Sequence, residues 1–225
     1  MEKPEEIIKD RGNITVAARG IGMRYVYALA AIADTARRGY REVFGLRMPS
    51  RIYIAAEKDP EGPNMLNTDG RNTVYFSCRS DKDLLPPKKS GYSHIFGFSH
   101  ELGHIAFSGA FPAGFALKDA SADMVYQAWA DYSAAKRIIP FIADVYGGCP
   151  WPNIYDFLAE EGPRHLSGFL KSHASPQAGS VLKLFDAADK AAGPKQVGRL
   201  VGTFGRELMW EPEAFTERLK KLAKR

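Results

Sequence analysis

The sequence contains two histidines four residues apart, with a glutamate directly after the first, in the pattern His-Glu-x-x-His. On a helix, His100 and His104 lie on one face, so both imidazoles can bind one metal ion. Glu101 lies beside the pair, close enough to take a proton from a water at the metal. Zinc accepts nitrogen ligands and leaves a position for water, so the pattern predicts a Zn²⁺ site that hydrolyses a carbonyl compound.

The residues around this pattern predict that it lies on a buried helix. Residues 93–107 are rich in apolar and aromatic side chains on both sides of the motif. Gly103 costs roughly 1 kcal/mol relative to alanine in the middle of a helix, and the close approach of another helix or strand would explain it. A second helix is predicted over residues 120–139, ending before Pro140.

The motif and the second helix together resemble a known family. Residues 98–104, with the sequence FSHELGH, resemble the active-site helix of zincin metallopeptidases, and in particular that of the ImmA/IrrE-type metallopeptidases of bacteria and phages. The second motif of that family, E-x-x-A-[N/D]-x-F-A-A-x-L-L-x-P, is similar to residues 127–140, where Ala130, Asp131 and Pro140 fall in register. The resemblance covers roughly residues 24–140. It implies a zincin-like α+β fold, zinc-dependent peptidase activity and a protein or peptide substrate.

One position departs from the family's pattern and leaves the third metal ligand open. The family uses the glutamate that opens the second motif, and this chain has Gln127 there. Asp131 matches the position that orients a ligand histidine in the family. Gln127 could bind zinc through its neutral amide oxygen, or a carboxylate of Asp131, Asp123 or Asp119 could replace it. The third alternative is a weakened or metal-free site.

The rest of the chain predicts an α+β fold in two parts. Residues 13–45 are predicted to be mainly helical, and residues 50–80 to form a small, mostly antiparallel sheet of two or three strands. Residues 73–77 resemble the edge strand that lines the cleft in zincins. Residues 1–145 are predicted to form the zincin-like domain. Residues 146–225 are predicted to form a helical C-terminal subdomain packed on it, which ends in a basic amphipathic helix.

Composition restricts the class of protein. The chain has 225 residues, of which 45% are hydrophobic and 25% charged, so collagen-like and wholly disordered classes are excluded. Cys78 and Cys149 are too few for a disulfide framework and are expected to be buried thiols. The charged N-terminus and the lack of a long apolar stretch predict a cytoplasmic protein with no membrane span.

Three functions compete at this point. The first is a zinc metallopeptidase with Glu101 as general base. The alternative is a catalytically weakened zincin-fold binding or regulatory module, which is favoured by Gln127. A nucleic-acid-associated regulator is supported only by the net charge of +5 and the basic C-terminal helix.

Overall fold

The sheet has more strands than the sequence predicts, and it is mixed rather than mostly antiparallel. A computed structural model describes residues 6–62, 65–80, 94–109, 111, 116–146 and 176–225. In that part of the chain the architecture is α+β, with a five-stranded sheet in the order β1-β2-β3-β5-β4. The strands are β1 (Glu6–Arg11), β2 (Ile14–Arg19), β3 (Ile52–Lys58), β4 (Met65–Thr68) and β5 (Thr73–Cys78).

The sheet contains both antiparallel and parallel strand pairs. The hairpins β1–β2 and β4–β5 are antiparallel, whereas β2–β3 and β3–β5 are parallel pairs. Parallel neighbours need a long crossover connection, which contains a helix between β2 and β3 and strand β4 between β3 and β5. The interpretation of residues 73–77 as an edge strand is wrong, because β5 is paired on both sides and β4 occupies the edge.

The predicted N-terminal helix is shorter than expected because its first residues form β2. In β2, Ile14, Val16 and Ala18 are buried and alternate with the partly exposed Thr15 and Ala17. This period of two is that of a strand with one buried face, whereas the alanines in the same segment are equally compatible with a helix. Helix α1 (Met23–Phe44) begins only after this strand.

The motif helix is confirmed, but the end of the second helix is not. Helix α2 (His94–Ser108) carries the His-Glu-x-x-His pattern, and α3 (Ala120–Ser133) follows it. The predicted stop at Pro140 is wrong, because a π-helical turn (Ala134–Ile138) connects α3 to α4 (Ile139–Tyr146). Pro140 has no N–H and its ring crowds the carbonyl one turn earlier, and the wider π turn accommodates such a residue within a helix.

Three C-terminal helices pack on α1 and α3. They are α5 (Pro176–Ala192), α6 (Pro194–Phe204) and α7 (Pro212–Ala223), with a 3-10 turn between the last two. Helix α5 contacts α3 and α6 contacts α1, and Phe185 and Phe215 belong to the same buried core as Trp129. The predicted basic C-terminal helix is confirmed, because α7 spans Pro212–Ala223. None of the described helices is long and apolar enough to cross a membrane.

The chain has two cysteines, and the structure describes one of them. Cys78 is a buried free thiol at the end of β5, as expected. Cys149 lies outside the described residues.

Candidate metal centre

Close packing of α2 against α3 brings the two motifs together. A Cβ atom on Gly103 would lie 2.8 Å from Oη of Tyr40, which is closer than real Cβ atoms come, and 3.1 Å from Cα of Ala130, which is an unusually tight contact. Glycine at this position therefore lets the backbone of α2 approach α3 directly. The close helix–helix approach expected from Gly103 is confirmed, and it places Gln127 and Asp131 of α3 beside the histidines of α2.

The two histidines face each other through their outer nitrogens. Nε2 of His104 lies 2.9 Å from Nε2 of His100, and the rings meet nearly at right angles, 86° apart. The His104 ring is buried, and burial is the largest cause that lowers its pKa well below the ordinary value, followed by the charge of His100. His104 is therefore held in the neutral form that binds metals.

Asp131 contacts the other nitrogen of His100. Its Oδ1 lies 2.8 Å from Nδ1 of His100, and its side chain is only 5% exposed. The lone pairs of the two imidazole nitrogens diverge, so a carboxylate on Nδ1 lies away from the space in front of Nε2. This contact selects which nitrogen of His100 faces His104.

Gln127 approaches the other histidine. Its side chain is partly buried and forms a hydrogen bond with the His104 ring, which acts to raise the pKa of that ring. Asp119 caps α3 by accepting the backbone N–H groups of Ser121 and Ala122, and Asp123 is exposed on the first turn.

Glu101 is buried beside the histidines. The residue is 8% exposed, and burial raises its pKa from 4.5 to about 7, against the opposing effect of His100 and with a smaller contribution from Asp131. A residue that directly follows His100 lies about 100° further around the helix, so Glu101 does not share the face of the two imidazoles. It is a carboxyl group at the rim of the histidine pair.

The two histidines meet part of the requirements of a zinc ion. Two nitrogens each bound at about 2.0–2.1 Å to one ion lie no more than about 4.2 Å apart, and the Nε2 atoms satisfy this condition. Within the described residues, no group of three or more His, Cys, Asp or Glu side chains is arranged to hold a metal. The two imidazoles thus fit zinc, and a third donor must come from another side chain type or from elsewhere.

Three aromatic side chains that the sequence did not mark as part of the site hold these residues in place. The Tyr126 ring packs 4.3 Å from the His104 ring, and its hydroxyl donates to the His104 carbonyl. Trp129 donates from Nε1 to the carbonyl of Gly103, and Tyr40 donates to the carbonyl of Ser99. Their helical spacing indicates only a core, since hydrogen bonds to the backbone of another helix leave no sequence signal.

Comparison with known proteins finds no family model that matches the chain and no curated protein with significant similarity.

Proposed function

We propose that the protein is a zinc-dependent metallopeptidase of the zincin type, similar to the ImmA/IrrE family. The observation that carries the proposal is the convergence of the His100 and His104 Nε2 atoms, 2.9 Å apart, beside the buried carboxyl of Glu101. Two imidazoles on successive turns of one helix are a common zinc-binding arrangement. Bound zinc supplies Lewis-acid chemistry by polarising a carbonyl oxygen and by lowering the pKa of water.

In this proposal, residues of the chain bind the ion, orient one of its ligands and transfer the proton. His100 and His104 hold the ion, and the contact of Asp131 with Nδ1 fixes the ring of His100. Glu101 accepts the proton of the attacking water and returns it to the leaving amine. Phe96 lies 5.9 Å from the His100 ring, and this aromatic side chain limits water around the donors.

A strand edge beside α2 supports a peptide as the substrate. Strand β4 is at the edge of the five-stranded sheet in the described part of the chain, and it contacts α2. An extended peptide can pair with such an edge through its backbone, which brings its carbonyl groups towards the neighbouring helix. Met65 and Asn67 are exposed on this strand.

The test is hydrolysis by the full chain loaded with zinc, with a mixed library of unstructured peptides as substrate and mass spectrometry as the readout. The wild type is expected to cleave a subset of peptides. Glu101→Gln, which keeps the size of the side chain, is expected to bind zinc and to lose at least about 100-fold in rate. Equal cleavage by the two proteins contradicts the assigned role of Glu101, and no cleavage by zinc-loaded wild type contradicts the peptidase proposal.

The absence of a third charged ligand among the described residues favours a second candidate. A zincin-like module that binds a protein partner without cleaving it needs the strand edge of β4 but not Glu101. The same library separates the two candidates, because such a module retains selected peptides intact and Glu101→Gln leaves that retention unchanged.

A further inference from the structure

Two cavities on the C-terminal helices join into one groove. The first has a volume of about 420 Å³ and lies between helix α6 and the ends of α1 and α2. The second has a volume of about 480 Å³ and lies between α6 and α7. Arg199 and Thr203 of α6 line both cavities, so the groove runs across α6 from Arg47 to Arg225.

The groove is lined by cations and, among the described residues, by no acidic side chain. Six exposed Lys and Arg residues line it, namely Arg47, Lys195, Arg199, Arg218, Lys221 and Arg225. Arg218 pairs with Glu207, whereas the other five form no ion pair within the part of the chain that the structure describes. The groove thus concentrates positive charge on one surface, which a net charge of +5 does not by itself indicate.

Close packing fixes the helices that carry these cations. A Cβ atom on Gly198 would overlap the carbonyl oxygen of Phe44, so α6 lies directly against the end of α1. Lys195 and Arg199 are four residues apart and lie on one face of α6. The apolar sides of α6 and α7 are buried through Val197, Leu200, Val201, Phe215, Leu219 and Leu222. The cations therefore extend from a fixed surface.

We propose that this groove binds the phosphate backbone of duplex DNA. Duplex DNA carries one negative charge per about 1.7 Å of its axis, which rows of Lys and Arg neutralise. Helices in contact lie about 8–10 Å apart, between the widths of the two DNA grooves, about 6 and 12 Å, so cations of α6 and α7 can reach phosphates of both strands. Thr203 and Gln196 add uncharged donors of the kind that contact phosphates.

Two other polyanionic partners fit the groove less well. A single strand needs open aromatic faces on which its bases stack. The aromatic residues of the groove do not offer one, because Phe44 is buried and the guanidinium of Arg218 lies 4.0 Å above the Phe204 ring. A helix that binds a membrane surface needs an apolar face towards the lipid, and the apolar residues of α7 lie in the core.

The groove opens on a different side of α2 from the histidine pair. Ala106 lines the groove and is two residues after His104, which places it about 200° further around the helix. The proposal therefore goes beyond the proposed peptidase activity and does not rest on the zinc site.

The test is the fluorescence anisotropy of a labelled DNA duplex of about 20 base pairs, titrated with the full chain at several salt concentrations. We expect a dissociation constant of about 1–100 μM at physiological salt, and a logarithmic affinity that falls with logarithmic salt concentration with a slope of about −5. Arg199→Ala removes the cation shared by both cavities, and should weaken binding by about fivefold or more and reduce the slope by about 1. Arg199→Lys retains the charge and should retain most of the affinity.

Arg71→Ala is the matched control, since Arg71 is an exposed arginine in the turn between β4 and β5, and it should equal wild type. Both alanine variants replace exposed side chains, and circular dichroism checks that they are folded. A wild type that does not bind the duplex, or an Arg199→Ala protein that binds as tightly as Arg71→Ala, overturns the proposal. Polyglutamate that displaces the labelled duplex as well as unlabelled DNA of equal charge also overturns it, and assigns the groove to an acidic polypeptide.

Discussion

Oδ1 of Asp131 lies 2.8 Å from Nδ1 of His100, and this contact connects the second motif helix to the first. Both side chains are largely buried, with exposed fractions of 5% and 16%. A carboxylate on one nitrogen of a histidine fixes the ring and directs the other nitrogen towards a ligand. Asp131 is thus positioned to orient the His100 ring, although its carboxylate does not point at the space between the two histidines.

Replacing the carboxylate of Asp131 tests whether it orients the His100 ring. Asp131→Asn keeps the shape of the side chain and removes its charge, so zinc should still bind, but about 10–100-fold more weakly. Zinc titration with a competing chelator measures the change. Asp144→Asn, at an exposed position of α4, is the control and should leave the affinity unchanged. An Asp131→Asn protein with wild-type affinity would show that the contact does not orient His100.

The packing between α2 and α3 predicts that an alanine substitution destabilises the protein at Gly103 but not at Gly179. A Cβ at Gly103 meets Tyr40 and Ala130 at 2.8 and 3.1 Å, whereas a Cβ at Gly179 in α5 meets nothing within 4 Å. Gly103→Ala should therefore destabilise the protein by about 1–3 kcal/mol through overpacking. Gly179→Ala should be neutral or stabilising by up to about 1 kcal/mol. Urea unfolding measures both, and equal effects would contradict the close approach of α2 and α3.

An ion pair between Arg137 and the buried carboxylate of Asp189 connects α5 to the π-helical turn that follows α3. Asp189 of α5 is 2% exposed and accepts hydrogen bonds from the Tyr132 hydroxyl and from two nitrogens of Arg137. Tyr132→Phe removes one donor from a buried carboxylate and should cost about 1–3 kcal/mol of unfolding free energy. The exposed Tyr75 is the control, since Tyr75→Phe should change little. Thermal unfolding that is identical for the two variants would exclude a stabilising role for this contact.

The turn between β4 and β5 predicts a pH dependence. Partial burial acts to raise the pKa of Asp69, but hydrogen bonds from the backbone N–H groups of Thr73, Arg71 and Asn72 outweigh it and lower the pKa below 3.8. A carboxyl with a lowered folded-state pKa stabilises the fold above its unfolded value and loses this contribution as the pH falls through the folded value.

Urea midpoints measured from pH 6 to about pH 2 should therefore fall more steeply for wild type than for Asp69→Asn, which has no titrating group at this position. The two curves should differ most above the ordinary pKa of aspartate and converge at the acidic end. Parallel curves over the whole range would contradict the assignment of this dependence to Asp69.

Local patterns predicted some of the features of this fold that depend on one segment alone. The apolar run around His100 gave α2 within one residue at each end, and the spacing of His100, Glu101 and His104 predicted their relation on one helix. Strand β2 was missed because alanines occupy a segment whose burial alternates. Strand direction could not be predicted either, since it depends on which strands meet and not on their sequences.

The way in which α2 and α3 cross could not be predicted from a single sequence. Whether Asp131 contacts His100 or the space between the histidines depends on how α2 and α3 cross, and Gly103, Tyr40 and Ser133 fix that crossing. The spacing of residues 127 and 131 therefore left two candidate ligands on one helix face. The extension of α3 through Pro140 by a π turn also had no signal, because proline at this position is typical of a helix end.

Zinc stoichiometry tests the central claim most directly. The full chain, freed of metal by a chelator and titrated with Zn²⁺ in a calorimeter, is predicted to bind one ion per chain, and His104→Ala to bind none at the same concentration. Thermal unfolding in the same samples should show stabilisation by zinc of wild type only. A wild type that binds no zinc, or a folded His104→Ala protein that binds it equally well, would contradict a metal centre on α2.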